Sequence, residues 1–220
     1  AFAVKERDIL NGVTFDILKG SRTVLLGENG CGKTTLLRLI SRLEKPTRGV
    51  ILQNIDDKFG QKSKQSKKWY KKVGVVYQNP DYQLFMQTVE KEIKFGAKSD
   101  EYADEIAEKF GIKHLYARHP QSLSEGQKRR VSIAAVVATD PEVLILDEPT
   151  VGQDYKGLCE MVEVLNKLHE EAHNTMITVT HDKRCAAALC DKSVWIKNGK
   201  TYKTGGKELV DEFFIQIGVN

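Results

Sequence analysis

Arg22-Thr23-Val24-Leu25-Leu26-Gly27-Glu28-Asn29-Gly30-Cys31-Gly32-Lys33-Thr34-Thr35 decides the fold. A short apolar run enters a glycine-rich loop. The loop opens a segment whose apolar residues Leu36, Leu37, Leu39, Ile40 and Leu43 recur at helical spacing. The loop fits G-x-x-x-x-G-K-[ST] at every required position. Each residue type has a physical reason. Glycines let backbone N–H groups curl around an anion that a side chain would keep away. A helix beginning near Lys33 aims its positive end at the same anion. Lys33 is a point charge able to reach the outer phosphates, and the Thr34 hydroxyl can ligate Mg²⁺. Gly27, Glu28, Asn29, Gly30, Cys31, Gly32, Lys33, Thr34 and Thr35 are therefore the candidate phosphate cradle.

Upstream of this unit, Val13 to Ile17 alternates apolar and polar residues and Lys19-Gly20 closes it, which predicts an antiparallel strand. The first helix is expected over Thr34 to Leu43, with Pro46 and Gly49 ending the unit. Val73 to Tyr77 reads as the next strand. From Asn79 to about Ala135 the pattern is mostly helical, with a strongly charged stretch from Glu101 to Phe110. Val143 to Leu146 is a continuous apolar run, as expected of a parallel strand buried on both faces. A helix from about Lys156 to Glu171, a second buried strand Met176 to Thr180 and a helical Lys183 to Leu189 follow. Ser193 to Lys197, Asn198-Gly199 and Lys200 to Tyr202 read as a hairpin with an Asn-Gly turn. Strands alternating with helices predict an α/β fold with a mainly parallel sheet.

Asp147 and Glu148 sit at the carboxyl end of the Val143 run, the edge where open α/β sheets bind ligands. Two adjacent carboxylates at a dry strand end are costly unless they meet a cation. Asp147 is placed to hold Mg²⁺ through water, and Glu148 to act as general base toward an attacking water. A guanine-reading [NT]-K-x-D segment is missing, since Asn166-Lys167-Leu168-His169 fails at its last position.

With 29% charged and 40% hydrophobic residues in 220, the chain can build one substantial core, and disordered, collagen-like and coiled-coil classes are excluded. The most apolar stretch, Val131 to Ala138, is far short of a bilayer span, so any membrane role must work through partners. Ala1 to Arg7 is too polar for a signal peptide, and without an initiator Met the true N-terminus is expected upstream. Cys31, Cys159, Cys185 and Cys190 form no C-x-x-C pair and read as reduced thiols of a cytosolic protein, Cys185 and Cys190 as small buried apolar residues. The net charge of +4 is mild but concentrated at Lys58, Lys62, Lys64, Lys67, Lys68, Lys71 and Lys72. Such a run could touch nucleic acid or acidic lipid, or be a solvated loop; Trp69 and Tyr70 alone are too few for a stacking platform. His169-Glu170-Glu171-Ala172-His173 spells the zinc-hydrolase pattern H-E-x-x-H. The helix must end there, and no third ligand is evident, so the stretch reads as a solvated helix end.

Further stretches extend the pattern in order. Gln78 follows the Val73 strand, Leu123-Ser124-Glu125-Gly126-Gln127 precedes the acidic strand, and Val151-Gly152-Gln153-Asp154 and Thr180-His181-Asp182 follow it. Together they resemble the nucleotide-binding domain of ABC ATPases over essentially the whole chain, with the LSGGQ signature varied at Glu125. The resemblance implies a P-loop NTPase with a RecA-like mainly parallel sheet, an N-terminal antiparallel β subdomain and an inserted α-helical subdomain. Residues 1–78 and 136–220 would form the nucleotide-binding core and 79–135 the helical, signature-bearing subdomain. It also implies ATP and Mg²⁺ as ligands, transport-coupled ATP hydrolysis, and Glu148, His181 and Gln78 as catalytic residues. Thr34, Gln78 and Asp147 would serve the metal. Ser124, Gly126, Gln127 and Asp154 would act on ATP held by a second subunit, in a homodimer or a heterodimer.

Gln78-Asn79-Pro80-Asp81-Tyr82-Gln83-Leu84-Phe85 is similar to the Q-N-P-D-x-Q stretch of energy-coupling factor (ECF) transporters and of cobalt and nickel importers. There it opens a groove for the coupling helices of a transmembrane scaffold subunit, which implies a coupling role for Pro80, Asp81 and Gln83. The local alternative is a helix cap at Asp81 with Leu84 and Phe85 in the core. The same resemblance implies a separate substrate-binding membrane subunit, uptake of a vitamin or transition-metal ion, and a peripheral position on the cytoplasmic face of the membrane, with no nucleic acid. The family's adenine-stacking position falls near Phe2 to Val4, with Phe2 the sole aromatic and Val4 beside it. Its C-terminal helical segment is expected to be short or missing, because the chain ends soon after the hairpin. A soluble ABC ATPase acting on nucleic acid or ribosomes is the competing function; such proteins usually fuse two cassettes or insert long coiled coils. A catalytically silent module is disfavoured by intact Lys33, Asp147, Glu148 and His181.

Overall fold

The structure, a computed structural model, describes residues 2–4, 7–52 and 69–218, and of residues 2–4, 7, 8 and 70 the backbone alone. Lys58, Lys62, Lys64, Lys67 and Lys68 of the basic run lie outside the described residues, as do the side chains of Phe2 and Val4.

The chain opens with β1 (Phe2–Val4) and β2 (Arg7–Leu10), which pair antiparallel. Then come β3 (Arg22–Leu26), α1 (Lys33–Ile40) and β4 (Val73–Val76). Three helices follow, α2 (Val89–Lys94), α3 (Asp100–Lys109) and α4 (Glu125–Val137). The remainder alternates β5 (Val143–Asp147), α5 (Tyr155–Ala172), β6 (Thr175–Val179), α6 (Lys183–Ala188), β7 (Lys192–Lys197), β8 (Lys200–Gly205) and α7 (Lys207–Gln216). The large sheet has the order β4-β5-β6-β3-β7-β8, parallel from β4 to β7, with β8 antiparallel at one edge. This is the α/β class that the alternation of elements predicts.

The period of two in a strand sends neighbouring side chains to opposite faces. Leu25, Ile145, Ile177, Val194 and Ile196 face one side of the sheet, where Leu36, Leu37 and Leu39 of α1 cover them. Leu144, Leu146 and Met176 face the other side, against Val131 of α4, Leu165 of α5 and the helices around Ile106 and Phe110. Val24, Leu26 and Trp195 share that second side under Phe213 and Phe214 of α7. Burial on both faces explains why β5 and β6 read as unbroken apolar runs.

Two local expectations are corrected. Val13 to Ile17 is not a strand. Val13, Phe15 and Ile17 do pack against the α1 side of the core, but no described strand pairs with their backbone, so the alternation reports burial alone. Helix α1 ends at Ile40, because Arg42 turns to the left-handed φ of 62° and leaves Leu43 58% exposed. At the other end of the chain, α7 lies beyond the elements read from the sequence, although Leu209, Val210, Phe213 and Phe214 carry a helical spacing. It buries them around Trp195, whose ring meets Phe213 edge-on at 5.1 Å.

Candidate active site

The loop after β3 lies at the carboxyl edge of the sheet, between the strand and α1. Gly32 takes φ 107°, and a Cβ there would meet the Leu10 side chain at 2.5 Å, so only glycine lets the loop turn beneath β2. At Gly30, φ 77°, a Cβ would find open space. Lys33 is 8% exposed, and its ammonium donates to the carbonyls of Gly27 at 2.5 Å and Glu28 at 3.0 Å. Thr34 is exposed in the first turn of α1, beside half-buried Thr35 and Cys31.

The acidic pair is buried, Asp147 at 6% and Glu148 at 4% exposure. Glu148 sits at φ 55°, a left-handed conformation costly for a glutamate. Its N–H donates to Val179 O on β6 at 2.8 Å, which holds the strained turn in place. One carboxylate oxygen accepts the His181 N–H at 3.2 Å. The other has no hydrogen-bond partner and lies 3.6 Å from His181 Nε2. Burial pushes the Glu148 carboxyl above its ordinary range; the His181 N–H opposes this and the Asp147 charge adds to it. Burial likewise raises Asp147, against the pull of Lys33, Arg129 and Arg38. His181 is lowered by burial and by Lys33, so its imidazole is neutral at pH 7. The Lys33 charge is thus felt at Asp147, Glu148 and His181 alike, although these come from separate stretches of sequence.

A cavity of about 560 Å³ adjoins the loop, lined by Gly27, Glu28, Asn29, His181 and, from α7 and its C-terminal cap, Phe213, Gln216 and Ile217. The α7 wall is missing from the candidate residues read in the sequence, where no motif marks it.

Gln78 is exposed at the end of β4, and its carbonyl and that of Tyr77 accept hydrogen bonds from the buried Arg129 on α4. Ser124 caps α4: its hydroxyl accepts the Gln127 N–H at 3.3 Å, while the Gln127 side chain accepts the Ser124 N–H at 3.1 Å. This reciprocal capping box occupies the Gln127 amide oxygen. Gly126 O accepts from Gln153 Nε2 at 2.9 Å, which ties the signature to the turn before α5. In that turn Asp154 caps α5 through the Gly157 N–H at 2.7 Å. Among the described residues, no hydrogen bond joins Ser124, Gly126 or Gln127 to the phosphate loop of the same chain.

The stretch after Gln78 divides into a buried and an exposed set. Pro80 and Leu84 are buried. The Gln83 amide is spent on the end of β4, accepting from Tyr77 N at 2.9 Å and donating to Val75 O at 2.8 Å. Asp81 pairs with Lys128 at 2.8 Å, and Asn79, not Asp81, caps the short turn of helix Pro80–Tyr82. The exposed surface is aromatic instead, with Tyr82 at 79%, Phe85 at 66% and Phe95 at 59%, and the Phe85 and Phe95 rings meet edge-on at 5.4 Å. Phe85 is therefore not core. Phe2 and Val4 lie on β1, and their side chains are outside the described residues. α5 ends at Ala172, with His173 turned to φ 48° as its cap, so the H-E-x-x-H pattern runs off the helix. Cys185 and Cys190 are buried and unpaired, and burial raises both thiols. No described helix is long and apolar enough to cross a membrane.

Residues 10–151 match the ABC transporter family. The chain is 40% identical over 221 residues to the energy-coupling factor transporter ATP-binding protein EcfA2 of Enterococcus faecalis, an alignment covering 93% of this chain and 74% of that protein. It is 40% identical to EcfA2 of Bacillus subtilis, covering 91% and 76%. Among solved structures it resembles cbiO1 from Clostridium perfringens, part of the ABC transporter complex cbiONQ, with TM-score 0.79 and 34% identity over 93% of this chain and 84% of that one. It also resembles the dimeric ATP-binding cassette MJ0796 in a post-hydrolysis state with ADP and Pi, with TM-score 0.79 and 25% identity over 94% of each chain.

Proposed function

The chain belongs to the ABC transporter family, and from that premise we propose that it is the ATPase subunit of an energy-coupling factor importer. It binds and hydrolyses ATP, and its work is done on separate membrane subunits. The cargo we assign is a vitamin or a transition-metal ion. The observation that carries the reading is that His181 lines one cavity with Gly27, Glu28 and Asn29 of the glycine loop and lies 3.6 Å from the buried Glu148 carboxylate, with the Lys33 charge acting on Asp147, Glu148 and His181.

In this reading the N–H groups of Gly27 to Thr35 wrap the phosphates, and Lys33 turns its ammonium from loop carbonyls toward them. Glu148 takes the proton of the attacking water through its unpartnered oxygen. His181, neutral and beside that oxygen, orients the water. The donor set also fits Mg²⁺: Asp147 is buried without an ion pair among the described residues, and the Thr34 hydroxyl is on an exposed residue in the first turn of α1. Thr34, Gln78 and Asp147 would hold the ion, whose charge would offset the negative charge growing on the transferred phosphoryl group.

Ser124 and the Gly126 N–H would act across a dimer, on ATP held by the second copy. Ser124 is exposed and Gly126 half-buried, and among the described residues neither hydrogen-bonds to the phosphate loop of its own chain, which supports this assignment. Closure would then be driven by contacts that ATP makes only in the closed state. Residues 79–135 form the helical unit in this assignment and the remainder the core. The aromatic face of Tyr82, Phe85 and Phe95, rather than Pro80 and Gln83, would meet a transmembrane scaffold on the cytoplasmic side. Affinity purification from the native membrane tests the whole: co-purifying integral membrane subunits are expected, and recovery with ribosomes or nucleic acid alone would refute it.

A further inference from the structure

Two neighbouring cations near the start of α4 are buried, Lys128 at 8% and Arg129 at 2% exposure. A buried charge is expensive to keep, and an unpaired one more so. Lys128 pairs with Asp81 and Arg130 with Glu160, but Arg129 between them forms no ion pair among the described residues. Its two terminal nitrogens donate to the backbone carbonyls of Tyr77, at 2.7 Å, and Gln78, while its Nε is buried without a partner. Carbonyl targets mean that the guanidinium holds the path of the main chain rather than any one side chain. Lys128 holds the other end of the same segment, donating to Asp81 Oδ1 at 2.8 Å and to Gln121 Oε1 at 3.1 Å. Gln121 in turn donates to Leu84 O at 3.4 Å. From the opposite side, the buried Glu92 carboxylate accepts the N–H groups of Phe85 at 2.9 Å and Met86 at 2.7 Å. Ser124, four and five residues before these cations, caps the same helix.

We propose that Arg129, assisted by Lys128, is a positioning residue that locks residues 77–86 to the signature turn, so that Gln78 and Ser124 move as one unit when the aromatic face is displaced. The pair transmits position without touching nucleotide. A planar two-point donor suits this task, because its rigid fork holds both carbonyls at a fixed spacing, whereas a lysine at 129 would keep the charge on a single, shorter and rotatable head without that fixed geometry.

The inference rests on the ATPase reading for its kinetic half only. Steady-state hydrolysis is measured for wild type, R129K, Q78A and the double variant. R129K is expected to lose about tenfold in kcat with KM within about twofold, and the double variant to be no slower than Q78A. Additive losses, or a change confined to KM, overturn the proposal. Amide hydrogen exchange without nucleotide is the second arm. R129K is expected to speed exchange at least tenfold at residues 77–86 while the amides of α1 keep their protection. Unchanged exchange at 77–86, or acceleration spread through α1 as well, overturns it. If R129K does not fold, K128M carries the same exchange test. A wild-type chain without turnover would count against the ATPase reading alone, and the exchange arm would still decide the clamp.

Discussion

Glu148→Gln separates chemistry from architecture at this site. The amide is isosteric with the carboxylate, and its oxygen can still accept the His181 N–H that Glu148 accepts at 3.2 Å. The backbone at φ 55° is equally strained for either residue, and the Glu148 N–H keeps its bond to Val179 O. What disappears is the basicity of the unpartnered oxygen. A positioned general base contributes about 10²- to 10⁴-fold, so turnover should fall by roughly 10³, or about 4 kcal/mol of barrier. The loss belongs in kcat, because the phosphate loop is untouched, and the variant should accumulate as an ATP-bound dimer in sedimentation. A second readout follows from burial. The folded Glu148 carboxyl is raised, chiefly by burial, so the native state binds its proton more tightly than the unfolded chain does. Stability therefore falls as pH rises from the ordinary carboxylate value, about 4.3, through the higher folded value, and the cost is constant above that. Glutamine escapes this cost, so nucleotide-free E148Q should melt above wild type at pH 7, with the difference vanishing below about pH 4. Near-normal hydrolysis, a monomer in ATP, or a Tm difference that grows toward acid would refute the reasoning.

Lys33→Ala removes the ammonium felt at Asp147, Glu148 and His181, and ATP affinity should fall at least 100-fold by calorimetry; micromolar binding that survives would count against the phosphate cradle. Trp195→Ala deletes a ring that is 1% exposed and packed edge-on against Tyr202 and Phe213, so urea unfolding should show a loss of about 3–5 kcal/mol; under 1 kcal/mol would mean that α7 is not anchored there. Phe85→Glu together with Phe95→Glu places charge on the exposed aromatic pair, so recovery of membrane subunits should drop at least tenfold with Tm nearly unchanged; undiminished recovery would move the docking face elsewhere.

Much of this site is visible in the one-dimensional pattern because its chemistry is local. Gly27 to Thr35 is one continuous stretch from the end of a strand into the start of a helix, and its glycine spacing is what the phosphate-loop pattern requires. Asp147-Glu148 stands out for a similar reason, since adjacent acids at the end of an apolar run are costly to bury without a cation. Strands β5 and β6 could be read because burial on both faces leaves an unbroken apolar stretch. Val13 to Ile17 shows the limit of such reading: alternation reports which side chains are covered, while a strand also needs a neighbour for its backbone.

Long-range contacts supplied the rest. No spacing rule says that Gln83 spends its amide on β4, that Phe85 faces outward while Leu84 goes in, or that α7 walls the cavity beside His181. Nor does any motif reveal that Arg129, one of three consecutive basic residues after the signature, points inward to hold the carbonyls of Tyr77 and Gln78. The order of residues fixed which groups this protein has for gripping a phosphate, because those groups are neighbours along the chain. The packing of α4 against β4, and of α7 on β7, decided which remaining side chains face water and which hold the machinery in place, because burial is a property of surfaces that meet only in three dimensions.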